Sequence, residues 1–339
     1  MEYFKQRFIE ELNDEGDIEI RGITWKRHDA LKLLDDSAEG ELFNEWVNQT
    51  IEESKERALS FLAENGCLDR FRSLYRLHKQ TNIIPFVGAG MSIDSGGLRW
   101  GDFLKSLLSD SPESLPTVED FLTAQDYESA AQFVADTLGM PVFNEEIRSK
   151  LGVGCLGTIG PINLMPALFE NGVITTNFDY VLYRAFENGD VPFKSELCGY
   201  ELKEAPRRIA NEPHCLLRLH GSAESSVGRI LTKSEYEANY EDNSQLADVL
   251  DKLIGTRGFL FLGCSLDTDR TYYALCQLKE RAQAEPTPHY AFLPLSEKDN
   301  RLIRRKFLAA AGIHPIYYPD GEDSQSIEDL LISMLQGGV

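Results

Sequence analysis

Ile83-Ile84-Pro85-Phe86-Val87-Gly88-Ala89-Gly90-Met91-Ser92 is the stretch on which the reading of the chain turns. Five apolar residues, too few for a helix of usual length, run straight into a glycine-rich turn. That is the pattern of a strand buried on both faces. Glycines at such a turn let the backbone bend sharply and approach a phosphate, with amide N–H groups as donors. A GxG also serves a tight strand-to-helix turn that binds nothing, and Ser92 reads equally as a phosphate contact or a local cap. A helix over about 100–108 is expected to follow.

Strand-like runs of the same type recur further on. They are Gly172 to Thr175, Cys215 to Leu219, Gly258 to Leu262, His289 to Leu293 and Ile313 to Tyr318, with helical stretches between them. Near-continuous apolar strands alternating with helices predict a doubly wound, mostly parallel, Rossmann-like α/β sheet from about residue 81. Between the first two runs, Val118, Phe121, Tyr127, Ala130, Ala131, Phe133 and Val134 fall at helical spacing, predicting a helical insertion over about 112–170. The glycine-rich piece from Gly152 to Gly160 is read as a mobile loop within it.

Toward the N-terminus, Phe43, Trp46, Val47, Ile51, Ala58, Phe61 and Leu62 form a stripe on a long acidic helix, closed by Asn65-Gly66. Phe71, Leu74, Tyr75 and Leu77 mark another helix, and Ile18, Ile20 and Thr24 allow one short strand. The expected division is 1–80, a mainly helical accessory or oligomerisation region, and 81–339, the sheet domain.

Composition sets outer limits. The 339 residues are 42% hydrophobic and 26% charged, ordinary values for a chain that builds a core. No apolar run reaches the ~18 residues needed to cross a bilayer, and the start, Met1-Glu2-Tyr3-Phe4-Lys5, lacks a signal peptide's uncharged stretch. The expectation is a cytoplasmic protein. Thirty-four basic against 55 acidic residues give a net charge of −21, which repels a phosphate backbone and argues against direct nucleic-acid binding. The six cysteines form no CxxC pair, so no zinc or other metal site is expected.

In a sheet of this kind ligands bind beyond the carboxyl ends of the strands. After the second run comes Thr175-Thr176-Asn177-Phe178-Asp179, where Asn177 or Asp179 caps a helix or presents an amide and a carboxylate to a sugar. After the third comes Leu219-His220-Gly221-Ser222, whose histidine is placed as a general base, while His214 at the start of that run reads as structural. After the fourth comes Gly263-Cys264-Ser265-Leu266-Asp267-Thr268-Asp269, a further glycine-polar turn. Together they suggest a nucleotide-sized ligand lying across the top of the sheet. The GxxxxGK[ST] loop, the GxSxG elbow and the HExxH helix are absent. A dehydrogenase GxGxxG is broken by Ile93, and Asp94 lies too near to bind a ribose.

In this combination and order the segments resemble the sirtuin family, in its bacterial branch of NAD-hydrolysing domains of anti-phage defence. Gly88-Ala89-Gly90-Met91-Ser92 resembles the GAGxS phosphate loop. Thr176-Asn177-Phe178-Asp179 resembles TQN[IV]D, with threonine at the glutamine position. Leu219-His220-Gly221 resembles the segment of the catalytic histidine, and Gly263-Cys264-Ser265-Leu266 the G[ST]SL turn. The resemblance covers about residues 81–320. Protein deacylases of the family carry two CxxC pairs and read SGIPDFR after the phosphate loop. This chain has no such pairs and reads Ser95-Gly96-Gly97-Leu98-Arg99-Trp100. Its Ile230-Leu231-Thr232-Lys233-Ser234-Glu235-Tyr236 stretch is also closer to the defence branch.

The resemblance implies NAD as substrate, Asn177 and His220 as catalytic residues with Asp179 orienting, and no zinc. It assigns Gly88, Ala89, Gly90, Ser92, Thr176, Gly263 and Ser265 to NAD binding. It further implies a homo-oligomer held inactive until triggered, working beside a helicase or translocase that handles nucleic acid, with residues 1–80 and the 152–160 loop as gating elements. The alternatives are a zinc-free NAD-dependent deacylase and a non-catalytic NAD or ADP-ribose sensor.

Overall fold

The computed structural model describes residues 2–198, 207–208, 214–240, 244–254, 257–267, 270–282, 287–296 and 300–338. The chain opens with α1 (Glu2–Asp14), β1 (Ile18–Ile20), β2 (Ile23–Trp25), α2 (Arg27–Leu34), α3 (Asp36–Glu64) and α4 (Leu68–Lys79). β3 (Ile83–Val87) is followed by α5 (Trp100–Ser106), α6 (Leu115–Thr123), α7 (Tyr127–Leu138), α8 (Met140–Leu151) and α9 (Met165–Leu168). Next come β4 (Val173–Thr175), α10 (Val181–Asn188), β5 (Ser195–Cys198), β6 (Cys215–Arg218), α11 (Lys233–Asn239) and α12 (Ser244–Ile254). β7 (Gly258–Leu262), α13 (Arg270–Arg281), β8 (His289–Leu295), α14 (Arg301–Ala310), β9 (Ile313–Pro319) and α15 (Asp323–Leu335) complete the order.

Among the described residues, seven strands form one sheet in the order β5-β6-β4-β3-β7-β8-β9, and every pairing is parallel. The fold is the expected doubly wound α/β sheet. β4, β6 and β5 extend from β3 in one direction and β7, β8 and β9 in the other. The switch point where such sheets bind ligands therefore lies between β3 and β7. Right-handed crossovers put α12, α13 and α14 on the face opposite α10. β3 is buried along its whole length. Its Pro85 cannot donate a ladder hydrogen bond, yet is accommodated because the pairing with β4 begins only at Phe86.

The face carrying α9 and α10 is completed by α15, α3 and α4: α15 packs on α9 and α3, and α4 on β3 and β9. α3 starts where the Asp35 carboxylate accepts from the Ser37 and Ala38 amides at 3.0 and 3.1 Å, and ends at Gly66 with φ +56°. Residues 36–79, read from the sequence as part of an accessory region, share one apolar core with the strands: Val47, Ile51, Ala58, Phe61, Leu62, Phe71 and Leu74 are all in it. The arginine of α3 that faces the C-terminal helix, Arg57, makes a two-pronged contact with buried Asp329 at 2.8 and 2.9 Å. The single short strand expected near residue 20 is a two-stranded antiparallel ribbon, because Gly22 at φ +78° supplies the turn that lets Ile23–Trp25 fold back.

The insertion builds a second core of its own. Phe103, Leu104, Leu107, Leu108, Val118, Val134, Phe143 and Ile147 pack together with Phe178, Ala223 and Leu231, which come from the loops beyond β4 and β6. Trp100 stacks on Phe103 and lies 5.8 Å from the Phe178 ring. The insertion is thus seated on the two strand-end loops singled out by the sequence. Residues 152–160 are a loop, as expected, and it is tied at both ends. Glu224 Oε1 accepts from the Val153 amide at 2.9 Å, while the Ser95 hydroxyl accepts from the Ile159 amide at 2.9 Å and the Ser95 carbonyl from the Gly157 amide at 3.0 Å.

Candidate active site at the carboxyl edge of the sheet

The strand register lines the four motifs up. Val87 pairs with Thr175 on one side and Leu262 on the other, and Thr175 pairs in turn with Arg218. Gly88, Thr176, Leu219 and Gly263 therefore each stand one residue beyond a common row. Asn177 and His220 each stand two beyond it. Four motifs spread over about 180 residues of sequence become one edge.

At the switch point the β3 and β7 turns touch backbone to backbone. A Cβ at Gly88 would lie 2.6 Å from the Gly263 carbonyl oxygen, one at Gly90 would lie 2.8 Å from Gly263 Cα, and one at Gly263 would lie 2.5 Å from the Met91 nitrogen. Gly263 also has φ +65°. The Gly88 amide donates to the Leu262 carbonyl and the Gly90 amide to the Gly263 carbonyl, each at 2.9 Å. These glycines thus serve the contact between the two turns, and two of the amides offered by the sequence to a phosphate are engaged with β7.

Ser92 is buried and does not sit on the surface of the turn. Its hydroxyl donates to Asp179 Oδ2 at 3.0 Å and accepts from Asn177 Nδ2 at 3.3 Å. The carboxylate, an acceptor only, sets the direction of the chain: the serine proton goes to Asp179, so the serine oxygen is left to receive the Asn177 amide. Asp179 Oδ1 accepts from the Val181 amide at 3.0 Å, which caps α10. Burial pushes the Asp179 carboxyl above its ordinary range, opposed by these two donors and by Arg218. Thr175 completes the frame, its hydroxyl donating to the Val87 carbonyl at 2.8 Å and accepting from the Asn177 amide N–H at 3.0 Å. Thr176 is half-buried beside it.

Sequence reasoning did not single out Arg218. Its side chain is almost wholly buried at the end of β6, where Nη1 donates to the carbonyls of Asn177 at 3.1 Å and Asp179 at 2.9 Å. Nε donates to Glu196 of β5 at 2.6 Å, and the guanidinium lies 4.5 Å from the centre of the Tyr180 ring. The signal was present: an arginine inside the apolar run Cys215-Leu216-Leu217-Arg218-Leu219 has to be paired if that run is buried. β5, which supplies the partner, was also missed.

His220 is buried at the mouth of the β6 loop. The Ile230 amide donates to its carbonyl at 3.0 Å, and Gly221 after it has φ +80° with Arg229 close against it. Nδ1 faces the Tyr236 hydroxyl at 3.4 Å, and Nε2 is buried with no hydrogen-bond partner in the protein. Burial, helped by the cationic Arg270, pulls the imidazole pKa down to about 4, so the ring is neutral at physiological pH and can accept a proton. His214 is set apart from the site, its ring 5.7 Å from that of Phe186.

Ser265 lies exposed on the turn after β7, and its carbonyl accepts from Arg304, which also holds Asp267 at 2.7 Å. Thr268 and Asp269 lie outside the described residues. Among the described residues no group of histidine, cysteine and carboxylate side chains is arranged to hold a metal, and no helix is long and apolar enough to cross a membrane.

The parallel doubly wound sheet thus brings glycine turns that abut at the switch point together with an amide, a carboxylate and a histidine at one edge. Residues 171–316 match the SIR2-like domain family. β3 and its turn precede the matched segment and join it through the register.

Three of the curated relatives it resembles are named NAD(+) hydrolase ThsA. The protein of Cytobacillus dafuensis is 26% identical over 227 residues, covering 65% of this chain and 42% of that protein. That of Acinetobacter baumannii is 24% identical over 214 residues, covering 62% and 42%. That of Enterococcus faecium is 21% identical over 225 residues, covering 65% and 44%. The chain therefore spans less than half the length of these relatives.

Proposed function

We propose that this protein is an NAD glycohydrolase that cleaves the bond between nicotinamide and ribose. The observation that carries the reading is the buried, neutral His220, with Nε2 unpartnered, two residues beyond the same strand row as Asn177. The name borne by its relatives supports it.

The chemistry needs little more than these groups. Nicotinamide leaves as a neutral base from a cationic pyridinium, so its departure requires no general acid, and the ribose passes through an oxocarbenium-like state. Asn177, its carbonyl fixed by Arg218 and its amide by Ser92, holds the ribose and the attacking water. His220 takes the proton of that water, directly or through a ribose hydroxyl. Asp179 acts through Ser92 to orient Asn177. Gly88, Ala89 and Gly90 bring backbone up to the pyrophosphate, while Thr176, Gly263 and Ser265 line the path toward the adenosine. A neutral imidazole is the correct starting state, since a protonated one would repel the developing ribosyl cation.

The wider role we propose is depletion of NAD in anti-phage defence by a triggered, self-assembling cytoplasmic protein, with a separate translocase doing the nucleic-acid work. The net charge of −21 supports delegating that work to a partner. Incubating the purified chain with NAD, with and without the proteins encoded beside it, and resolving nicotinamide, ADP-ribose and cyclic products tests the core of the proposal. Nicotinamide released without any acyl-peptide, and lost in His220→Ala, is the expected result. Release only with an acylated peptide, as O-acyl-ADP-ribose, would instead make the protein a deacylase.

A further inference from the structure

Three elements, α11, α13 and α7, converge on Tyr236 beside His220. On α11, Tyr236 presents its hydroxyl to Nδ1 at 3.4 Å and its ring meets the imidazole edge-on, 5.4 Å between centres. One turn later, Tyr240 donates its hydroxyl to the Leu219 carbonyl at 3.1 Å. Arg270, the first residue of α13, lies with its guanidinium 4.9 Å from the centre of the Tyr236 ring and donates to the Tyr240 carbonyl at 2.9 Å. Its remaining donors grip both carboxylate oxygens of Glu128 on α7, at 2.5 and 2.7 Å. α11 is itself fixed at its start by a reciprocal cap between Thr232 and Glu235. The insertion, the β7 crossover and the loop beyond β6 thus meet on one tyrosine.

We propose that Tyr236, held flat by the Glu128–Arg270 pair, is the positioning residue that fixes the tautomer of His220, accepting from Nδ1–H so that bare Nε2 faces the substrate. This deepens the function proposed above and rests on His220 being its base. The argument is one of pairing. A neutral imidazole has one donor and one acceptor, and Tyr236 Oη is the partner of Nδ1. If Nδ1 carries the proton and donates to that oxygen, the buried Nε2 keeps its lone pair and takes a proton from water or a ribose hydroxyl. If the tyrosine donates instead, Nε2 carries the hydrogen and cannot act as a base. Arg270, with its guanidinium over the ring face, restricts rotation of the tyrosine ring, and the first arrangement is the one that leaves Nε2 able to serve as the base. A planar fork that spans a carboxylate, a carbonyl and an aromatic face at once suits arginine and not lysine. The charged or titratable groups around His220 are Tyr236 from α11, Tyr240 just beyond its end and Arg270 from α13, with Glu128, Arg229 and Glu235 behind them. Of these, Arg270 acts on the imidazole charge.

The test reads the imidazole directly and does not depend on turnover. Long-range nitrogen–proton NMR of the full chain labelled with 15N-histidine assigns the tautomer of His220, with His220→Gln identifying its signals. A neutral ring with hydrogen on Nδ1 is expected in the wild type, and a mixed or Nε2–H ring in Tyr236→Phe. Hydrogen on Nε2 in the wild type overturns the proposal, as does an unchanged tautomer in Tyr236→Phe.

With NAD as the probe, Tyr236→Phe and Arg270→Lys are each expected to lower kcat about 10-fold with KM unchanged, the size of one lost hydrogen bond. Arg270→Lys keeps the charge, so the acid limb of its pH profile should stay near that of the wild type. In Arg270→Met the limb should move up. A loss expressed wholly in KM, with the acid limb unmoved in Arg270→Met, would make the cluster structural only. Should the wild type carry the Nδ1 proton yet cleave no NAD, the positioning stands and the NAD reading fails. Should it cleave NAD with hydrogen on Nε2, the reverse holds.

Discussion

The two loops that face each other across the row from Thr175 to Arg218 are held by different means. In the β4 loop nearly every polar group is spoken for. The Asn177 carbonyl and backbone amide, the Asn177 side-chain amide, both Asp179 oxygens and the Asp179 carbonyl all have partners between 2.9 and 3.3 Å. In the β6 loop His220 has one long contact on Nδ1, none on Nε2, and is held by burial among rings. A group that must hold a substrate still is best fixed by hydrogen bonds in advance. A group that must take up a proton needs a vacant lone pair and a ring that is neutral beforehand. Hydrogen bonding on one side and burial on the other are the two ways these loops are held, and they match the roles proposed for Asn177 and His220.

The comparison can be broken most severely at the histidine. His220→Ala should lower the rate of NAD cleavage about 10²–10⁴-fold, as for loss of a positioned base, while the thermal unfolding temperature changes little. A variant that keeps full turnover would remove His220 from the chemistry.

The next largest effect is expected on the wired side. Arg218→Met keeps the bulk of the side chain but orphans the Asn177 and Asp179 carbonyls and leaves Glu196 without its cation. Urea unfolding should register a loss of about 3 kcal/mol, with NAD cleavage impaired as well. Arg218→Lys should recover only part of this, since an ammonium cannot serve two carbonyls, a carboxylate and the Tyr180 face together.

Acid should act on the desolvated side. The folded pKa of His220 lies below its unfolded value, so the unfolded chain binds the extra proton first. Stability is therefore lost as pH falls from about 6.5 toward about 4. Between pH 7 and pH 5 the loss assigned to this ring is about 2 kcal/mol. It should be missing from His220→Gln when the two proteins are unfolded in urea at both pH values. Asp179 works in the opposite direction, because its carboxyl is raised, and it is common to both proteins. An equal acid loss in both would show that His220 is not desolvated as described.

The smallest effect sharpens the wiring itself. Ser92→Ala removes the link between Asp179 and Asn177 and should cost about 1 kcal/mol of stability. If the link orients Asn177, kcat should fall about 10-fold with little change in the affinity for NAD, measured by calorimetry with the inactive His220→Ala background. Were Ser92 a phosphate ligand instead, affinity would fall and kcat would not.

The sheet was legible in the sequence wherever a strand was buried on both faces. β3, β4, β6, β7, β8 and β9 all announce themselves as apolar runs ended by glycine or polar turns. β5 did not, because Ser195-Glu196-Leu197-Cys198 is an edge strand that buries only Leu197 fully and carries a glutamate turned to Arg218. Asn177, Asp179 and His220 could be named because polar residues at strand ends stand out against apolar runs. What they touch could not, since Ser92 and Asp179 are 87 positions apart and meet only through the register. The stripe on α3 was visible, but a stripe does not say what covers it. Its partner turned out to be the sheet core and the C-terminal helix.

The abutting glycines at the switch point have one more consequence. With Gly88 and Gly90 pressed against Gly263, the turn after β3 and the turn after β7 leave no room for a side chain between them. Neither turn can shift without displacing the other, so the two act as one floor. On the function proposed above, the spacing between the groups that the two turns present to a dinucleotide is then set by the backbone and not by side-chain rotamers.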